Sequence, residues 1–310
     1  MADFDIFVDS SANIPDNLRG DIHVIPYLCT INDEEFACTQ EAGFSERAKE
    51  FYQKMREGAD VKTSLIVEER FVEALTPTLE AGKDALLITI ASGISGTYNQ
   101  AINAKKTLAE RFPKQKVYVL DSSNASMGEG LLALKVADLR AMGESAETCA
   151  EWVTRNAYKM NSYLTVDDLK YLRKGGRISR TLAIAGTLLN IKPLIRADGG
   201  TPAKLSAFGK VRGRKKAISS LVEAFDKYVV RPETQTIAIT HADCEEDALE
   251  LAHILKEHGA RDVIIEYYDL CSGIHVGPGT LALFFMGKDR KSESLFPAIK
   301  PHGKTVTNNA

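Results

Sequence analysis

Short apolar runs alternate with longer stretches whose apolar positions recur every three to four residues, and this alternation organises the first half of the chain. Phe4 to Val8 (FDIFV) predicts a buried strand leading directly into the loop Asp9-Ser10-Ser11. Asn13-Ile14-Pro15 opens a short helix, since proline fits a first helical position. Asp21 to Thr30 predicts a second strand, interrupted at Pro26, and Ser45 is placed to cap a helix that ends near Gly58. Phe71, Leu75 and Leu79 fall at helical spacing, with Gly82 placed to stop that helix. Ala85 to Ile90 (ALLITI) is apolar at almost every position, as in a parallel strand covered on both faces. Helices from about Thr97 to Glu110, Met127 to Met142 and Ser145 to Ala157 surround a further short strand at Val117 to Leu120. Repeated strand–helix units predict a parallel, doubly wound sheet.

The pattern changes after Asn161. Tyr163-Leu164-Thr165 predicts a strand, Val166 to Arg173 a short helix, Thr181 to Leu189 a helix and Ile191 to Ile195 a strand. A Gly-rich turn at Asp198 to Thr201 precedes helix Lys215 to Tyr228, strand Thr236 to Thr240, helix Glu245 to His258 and strand Val263 to Tyr267. The expected fold class is therefore α/β with two domains. Residues 1–160 form an N-terminal domain with a parallel doubly wound sheet, residues 161–286 a C-terminal α+β domain, and residues 287–310 a polar surface tail.

A length of 310 residues agrees with two domains at about 150 residues each. The net charge of −3 argues against a protein that lives on bulk phosphate neutralisation, so general nucleic-acid binding is not expected. No apolar run approaches the roughly 20 residues needed to span a bilayer, so stable membrane insertion is not expected. The acidic start MADFDIFVDSS is unlike a signal peptide, and five cysteines without a C-x-x-C pair suit reduced, buried thiols; both point to a cytoplasmic protein. The six histidines show no metal-ligand spacing, and neither a metal nor a cofactor is expected.

The densest polar cluster is Ser92-Gly93-Ile94-Ser95-Gly96-Thr97-Tyr98, between the ALLITI strand and a helix start. Ser95 and Thr97 present hydroxyls beside uncapped helix N–H groups, a setting for a carboxylate or phosphate oxygen, although the same residues would serve as an ordinary cap. The segment is neither a Walker loop nor a G-x-S-x-G elbow. Lys62-Thr63-Ser64 reads by itself as an N-cap before a helix. His275 sits among three glycines and a proline in S-G-I-H-V-G-P-G, a tight loop around one imidazole that could donate to an anion or act as a base. Arg173, Lys174, Arg177 and Arg180 form one basic cluster, and Lys210, Arg212, Arg214, Lys215 and Lys216 a second.

Taken together, the loops resemble the DegV family, whose characterised members bind fatty acids. The resemblance rests on FVDSSANIP (Phe7 to Pro15), KTS (Lys62 to Ser64), ASGISGTY (Ala91 to Tyr98), LDSSNASMGEG (Leu120 to Gly130), LRKGGRIS (Leu172 to Ser179), KVRGRKKA (Lys210 to Ala217) and IHVGPG (Ile274 to Gly279). These seven motifs occur in order across residues 4–286. The resemblance implies a lipid tunnel between or beneath two α/β domains, with Thr63, Ser95 and His275 contacting a long-chain fatty acid's carboxylate and Gly96 and Thr97 supporting the loop. It implies further that a separate fatty acid kinase subunit phosphorylates the carboxylate of the acyl group that a DegV-type protein presents, with Arg177 and Arg212 near the phosphate or the partner. Departures from the family pattern are Leu65-Ile66-Val67, where a Gln-Pro-Ser type turn is common, and Gly213, where Thr is usual.

The chemistry of the residues agrees with a non-catalytic fatty-acid carrier. An acyl chain needs apolar walls, and its carboxylate needs oriented donors because desolvating it unpaired is costly. Two other readings remain at this point. One is an acyl hydrolase or transferase with Ser95 as nucleophile and His275 as base, which lacks an elbow motif and an evident orienting carboxylate. The other is a sensor whose lipid occupancy alters its choice of partner.

Overall fold

A computed structural model describes residues 4–178 and 190–292. The helix expected at 181–189, Arg180 and the tail beyond residue 292 lie outside the described residues.

The first half follows the order β1 (Phe4–Asp9), α1 (Asp16–Arg19), β2 (His23–Ile25), β3 (Tyr27–Ile31), β4 (Glu34–Cys38), α2 (Phe44–Arg56), β5 (Val61–Ser64), α3 (Glu68–Glu80), β6 (Asp84–Thr89), α4 (Thr97–Arg111), β7 (Val117–Asp121), α5 (Met127–Ala141) and α6 (Ala146–Asn156). Strands β2, β1, β6 and β7 make a parallel sheet in that order. Its inner strand β6 is buried over Ala85 to Thr89, as an apolar run covered on both faces should be. Because the strands are parallel and in register, the turn after β1, the Ser92–Gly96 loop and the Ser122–Ser126 loop all emerge at one carboxyl edge. Loops and helix starts converge at such an edge in open α/β sheets.

Strands β4, β3 and β5 form a separate antiparallel sheet beside it, which the hydrophobic pattern does not announce. β4 reads EEFAC and is largely exposed, while β5 is four residues long, so neither carries a strand signal. Helix α2 starts earlier than expected. Gly43, at φ +78°, turns the chain so that Phe44 begins the helix and is buried, leaving Ser45 inside the first turn rather than at the cap. Ser145 does cap α6, accepting from Thr148 N–H at 3.1 Å.

The second half contains β8 (Met160–Thr165), α7 (Lys170–Lys174), β9 (Ile191–Ala197), β10 (Leu205–Arg212), α8 (Arg214–Tyr228), β11 (Thr236–His241), α9 (Glu245–Glu257), β12 (Asp262–Tyr267), α10 (Leu270–Val276) and β13 (Leu281–Met286). They build a mixed six-stranded sheet in the order β10-β9-β8-β13-β11-β12. Its last strand in sequence, β13, lies inside the sheet, antiparallel to both β8 and β11.

Helix α5 explains how the two sheets share a core. Its buried residues include Met127, Gly130, Leu131, Leu132 and Val136, and it touches β1 and β6 of one sheet and β8, β11 and β13 of the other. A helix apolar on most faces is a buried helix, and α5 fills the layer between the sheets. One hydrophobic cluster accordingly runs from Phe7 and Leu87 to Leu164, Ala238 and Phe284.

Two expectations are corrected here. Cys29 and Cys38 form a disulfide with their Cα atoms 6.5 Å apart, because the β3–β4 register sets them diagonally on one face. Cys149 and Cys271 are buried free thiols, and Cys244 is partly buried. The stretch after Gly287 does not begin as a surface tail. Gly287 bridges Val229, and Arg290, only 4% exposed, donates to the carbonyls of Asp198 (2.6 Å) and Ser123 (2.8 Å). A buried guanidinium needs such acceptors, and they tie the chain down.

Candidate functional site

Thr63, Ser95 and His275 come from three different elements and meet at one cavity. Thr63 is in strand β5, not at a helix cap, because β5 pairs with β3 from Leu28 to Ile31. His275 is on helix α10, not in a loop. Asp269 caps that helix by accepting from Ser272 N–H at 2.7 Å, and Gly273 lets Tyr52 approach so closely that a Cβ there would lie 2.1 Å from the Tyr52 hydroxyl. His275 Nε2 and Thr63 Oγ1 are hydrogen-bonded at 2.9 Å. Burial, aided by the positive Arg177, pushes the imidazole pKa down to about 4, so His275 is neutral near pH 7 and not the charged donor that a free imidazolium would be.

Ser95 is held by a tyrosine that sequence reasoning missed. The Tyr27 hydroxyl lies 2.6 Å from Thr97 Oγ1 and 3.3 Å from Ser95 Oγ, and Ser95 Oγ donates to Thr97 Oγ1 at 3.0 Å. Burial pushes the Tyr27 phenol well above its usual range, so it stays a neutral donor. Thr97 is fully buried at the first position of α4, and Gly96 precedes it with Leu65 packed alongside. Neither Gly96 nor Thr97 lines the cavity. Tyr27 carries no signal in the sequence beyond being an aromatic residue in a strand; only the fold brings it to Ser95.

The cavity encloses about 830 Å³ of space free of protein atoms, its open mouth included. Its walls are mainly apolar, with Ile90, Ile94, Leu164, Leu172, Leu205 and Phe284 among them. Thr63, Arg177 and His275 also line an open groove of about 1100 Å³ shared with Lys62, Lys170 and Lys174, so the hydroxyl and imidazole end of the cavity faces a basic surface. That surface is partly neutralised: Asp60 pairs with both Lys62 (2.7 Å) and Lys174 (3.0 Å).

The remaining basic residues are placed differently. Arg177 Nε donates to the Ile94 carbonyl at 3.1 Å, which fixes its head at the cavity. Arg212 is exposed at the end of β10 opposite Leu205, about 20 Å from it along the strand. Arg214 is spent on Asp247 (2.8 Å) and Asp167 (3.6 Å). The second basic cluster is thus not one continuous patch.

Beneath the site lies a buried acidic group. Asp9 accepts from Ile90 N–H (2.8 Å) and Ser11 Oγ (2.5 Å), and Ser11 Oγ also reaches Glu129 at 3.1 Å. Burial pushes the Asp9 carboxyl up to about 6 and Asp269 to about 7, and raises Glu129 well above the carboxylate range, with Asp9 adding to that shift. Among the described residues no hydrogen bond joins Ser95 to His275, and Asp9 orients no imidazole; Ser95 Oγ is engaged with Tyr27 and Thr97 instead. Among the described residues no group of three or more His, Cys, Asp and Glu side chains is arranged to hold a metal ion, and no helix is long and apolar enough to cross a membrane.

The motif pattern and this geometry agree with known proteins. Residues 3–288 match the family profile described as "Uncharacterised protein, DegV family". A DegV domain-containing protein of Clostridium perfringens is 36% identical over 294 residues, covering 94% of this chain and all of that one. The crystal structure of DegV from Bacillus subtilis, described as a fatty acid binding protein, aligns at a TM-score of 0.78 and 29% identity over 93% of this chain and 100% of that one. A Ruminococcus gnavus member solved with vaccenic acid aligns at a TM-score of 0.80 and 27% identity over 91% and 99%. The chain belongs to the DegV family.

Proposed function

We propose that this protein binds a long-chain fatty acid in the apolar cavity, holds its carboxylate at Thr63, Ser95 and His275, and presents that end to a separate fatty acid kinase subunit. The observation that carries this reading is the convergence of three neutral polar side chains at the end of a cavity with apolar walls. Each buried methylene contributes about 0.8 kcal/mol, so a dozen of them supply on the order of 10 kcal/mol before ordering costs. Neutral donors then suffice to orient the head. If His275 carries its proton on Nε2 and donates to Thr63 Oγ1, the Thr63 hydroxyl proton is free for a carboxylate oxygen. Related proteins described as fatty-acid-binding support the ligand class.

In this reading the protein is a carrier without catalysis of its own. Residues 1–160 and 161–286 act as its two domains. Arg177, at the junction of cavity and basic groove, faces the transferred phosphoryl group, and the exposed Arg212 serves the partner surface. Native mass spectrometry of the gently purified chain tests the ligand: one fatty acid per chain is expected. Finding none, together with no uptake of added palmitate or oleate, overturns the reading. Incubation of the loaded protein with a fatty acid kinase subunit and ATP tests presentation, with acyl phosphate as the expected product and its loss expected in Arg177→Ala.

A further inference from the structure

The three-stranded sheet places the Cys29–Cys38 pair directly beside the residues of the proposed head-group site. In the β3–β5 register Cys29 is the partner of Thr63, and in the β3–β4 register Cys38 is the partner of Tyr27. Register partners point to the same face of a sheet, so Tyr27, Cys29, Cys38 and Thr63 share one face. Tyr27, Cys29 and Cys38 are buried there, at 4%, 0% and 2% exposure. From that face Tyr27 bonds Thr97 and Ser95, and Thr63 bonds His275. The sulfur pair therefore lies between the two side chains through which this sheet touches the cavity.

The strand it ties down needs tying. Among the described residues β4 is an edge strand paired with β3 alone, and Glu34, Glu35 and Ala37 are exposed. Few apolar contacts hold such a strand, and local opening at an edge brings buried sulfurs within reach of solution thiols. The other three cysteines are unsuited to this role. Burial raises the Cys149, Cys244 and Cys271 thiols, with Cys244 pushed up to about 12, and none of them is disulfide-bonded.

We propose that Cys29 and Cys38 form a reversible redox site that fixes the geometry of the fatty-acid head-group site, so that reduction by a thiol–disulfide exchange partner weakens ligand binding. The proposal rests on the reading of Tyr27, Thr63, Ser95 and His275 as that site. In the exchange, a thiolate of the partner attacks one sulfur, the Cys29–Cys38 bond breaks and a mixed disulfide forms. A second thiolate of the partner then displaces the protein sulfur. The protein gains two electrons and two protons as two thiols, and the partner leaves as its disulfide. Two thiols need more room than one bond between their sulfurs, and with Cys29 and Cys38 buried the space comes from moving β4 or the register neighbours Tyr27 and Thr63.

The test uses the full chain in two buffers, one containing reduced and one oxidised dithiothreitol, with the cysteine state read by alkylation and mass spectrometry. Oleate affinity is expected to be at least roughly 5-fold weaker in the reduced state. The double variant Cys29→Ala/Cys38→Ala should respond equally in both buffers. Hydrogen exchange of the ligand-free wild-type chain provides a readout independent of any lipid: amides of β3, β4 and β5 should exchange faster after reduction. Absence of the disulfide under the oxidising buffer, or identical exchange in the two states, overturns the proposal. Equal oleate affinity in the two states does the same. Failure to bind oleate in either buffer instead overturns the fatty-acid reading and, with it, the claimed effect on binding, while the exchange result still decides the redox site.

Discussion

Gly175 stands against the ring of His275: a Cβ added at Gly175 would lie 2.5 Å from Nδ1 of the imidazole. Gly175 has φ −74°, an ordinary conformation for any residue, so the need for glycine there is the space taken by the histidine and not the backbone. Gly175→Ala is expected to displace His275 from Thr63 and lower fatty-acid affinity about tenfold. Circular dichroism should show little change in melting temperature. A titration with unchanged affinity would show that the position of His275 is not critical.

Tyr27 offers a test of the residue that holds Ser95. Tyr27→Phe removes a hydroxyl within hydrogen-bond distance of both Thr97 and Ser95 and leaves buried Thr97 short of a partner. Loss of about 1–2 kcal/mol in stability is expected from denaturant melts, together with weaker ligand binding as Ser95 loses its support. Unchanged binding in a folded variant would separate Ser95 from the head group.

The buried acids predict how stability depends on pH. Asp269 titrates near 7 and Asp9 near 6 when folded, both raised by burial above an unfolded value of 3.8. The folded state then holds more protons than the unfolded state, and these groups lose their stabilising contribution as pH rises through 6 to 7. His275 and His241, both lowered to about 4, act in the opposite sense, gaining as pH rises toward 6.5 and changing little above it. Once the histidine contribution stops growing near pH 6.5, the acids act without that offset, so the melting temperature should fall from about pH 6.5 and level off toward pH 8 as Asp269 completes its titration near 7. Asp269→Asn, which keeps an N-cap oxygen, should flatten that fall; an unaltered slope would contradict the assignment.

Arg290 is a buried cation that donates to the carbonyl oxygens of Asp198, Ser123 and Ala157, with the Tyr158 ring 5.3 Å away. Arg290→Met keeps most of the stem but strands the carbonyls of Ser123 and Asp198, at a cost of about 2–4 kcal/mol. Thermal melts should drop by roughly 5–10 °C. A smaller change would show that water replaces the guanidinium.

Much of the fold is legible where burial imposes a pattern. ALLITI could only be an inner strand, and Phe71, Leu75 and Leu79 mark one face of α3. Legibility fails where tertiary contacts decide. Strand β4 carries two glutamates in five residues, β5 is short, and α10 has a glycine at its middle because Tyr52 fills the space of a side chain. Thr63, Ser95 and His275 stand out through family motifs, since their sequence separations of 32 and 180 give no hint of one cavity. Tyr27 was invisible for a plainer reason: its hydroxyl has meaning only beside Thr97.

The placement of β13 has a consequence for how the chain is made. A strand that ends at Met286 sits between β8 and β11, and its Phe284 forms part of the cavity wall. During synthesis from the N-terminus, β8 and β11 are both finished before the strand that must lie between them exists. β8 and β11 can therefore be joined through β13 only after residues 281–286 have been made. The part of the cavity wall that Phe284 supplies is therefore added only after β8 and β11 have been made.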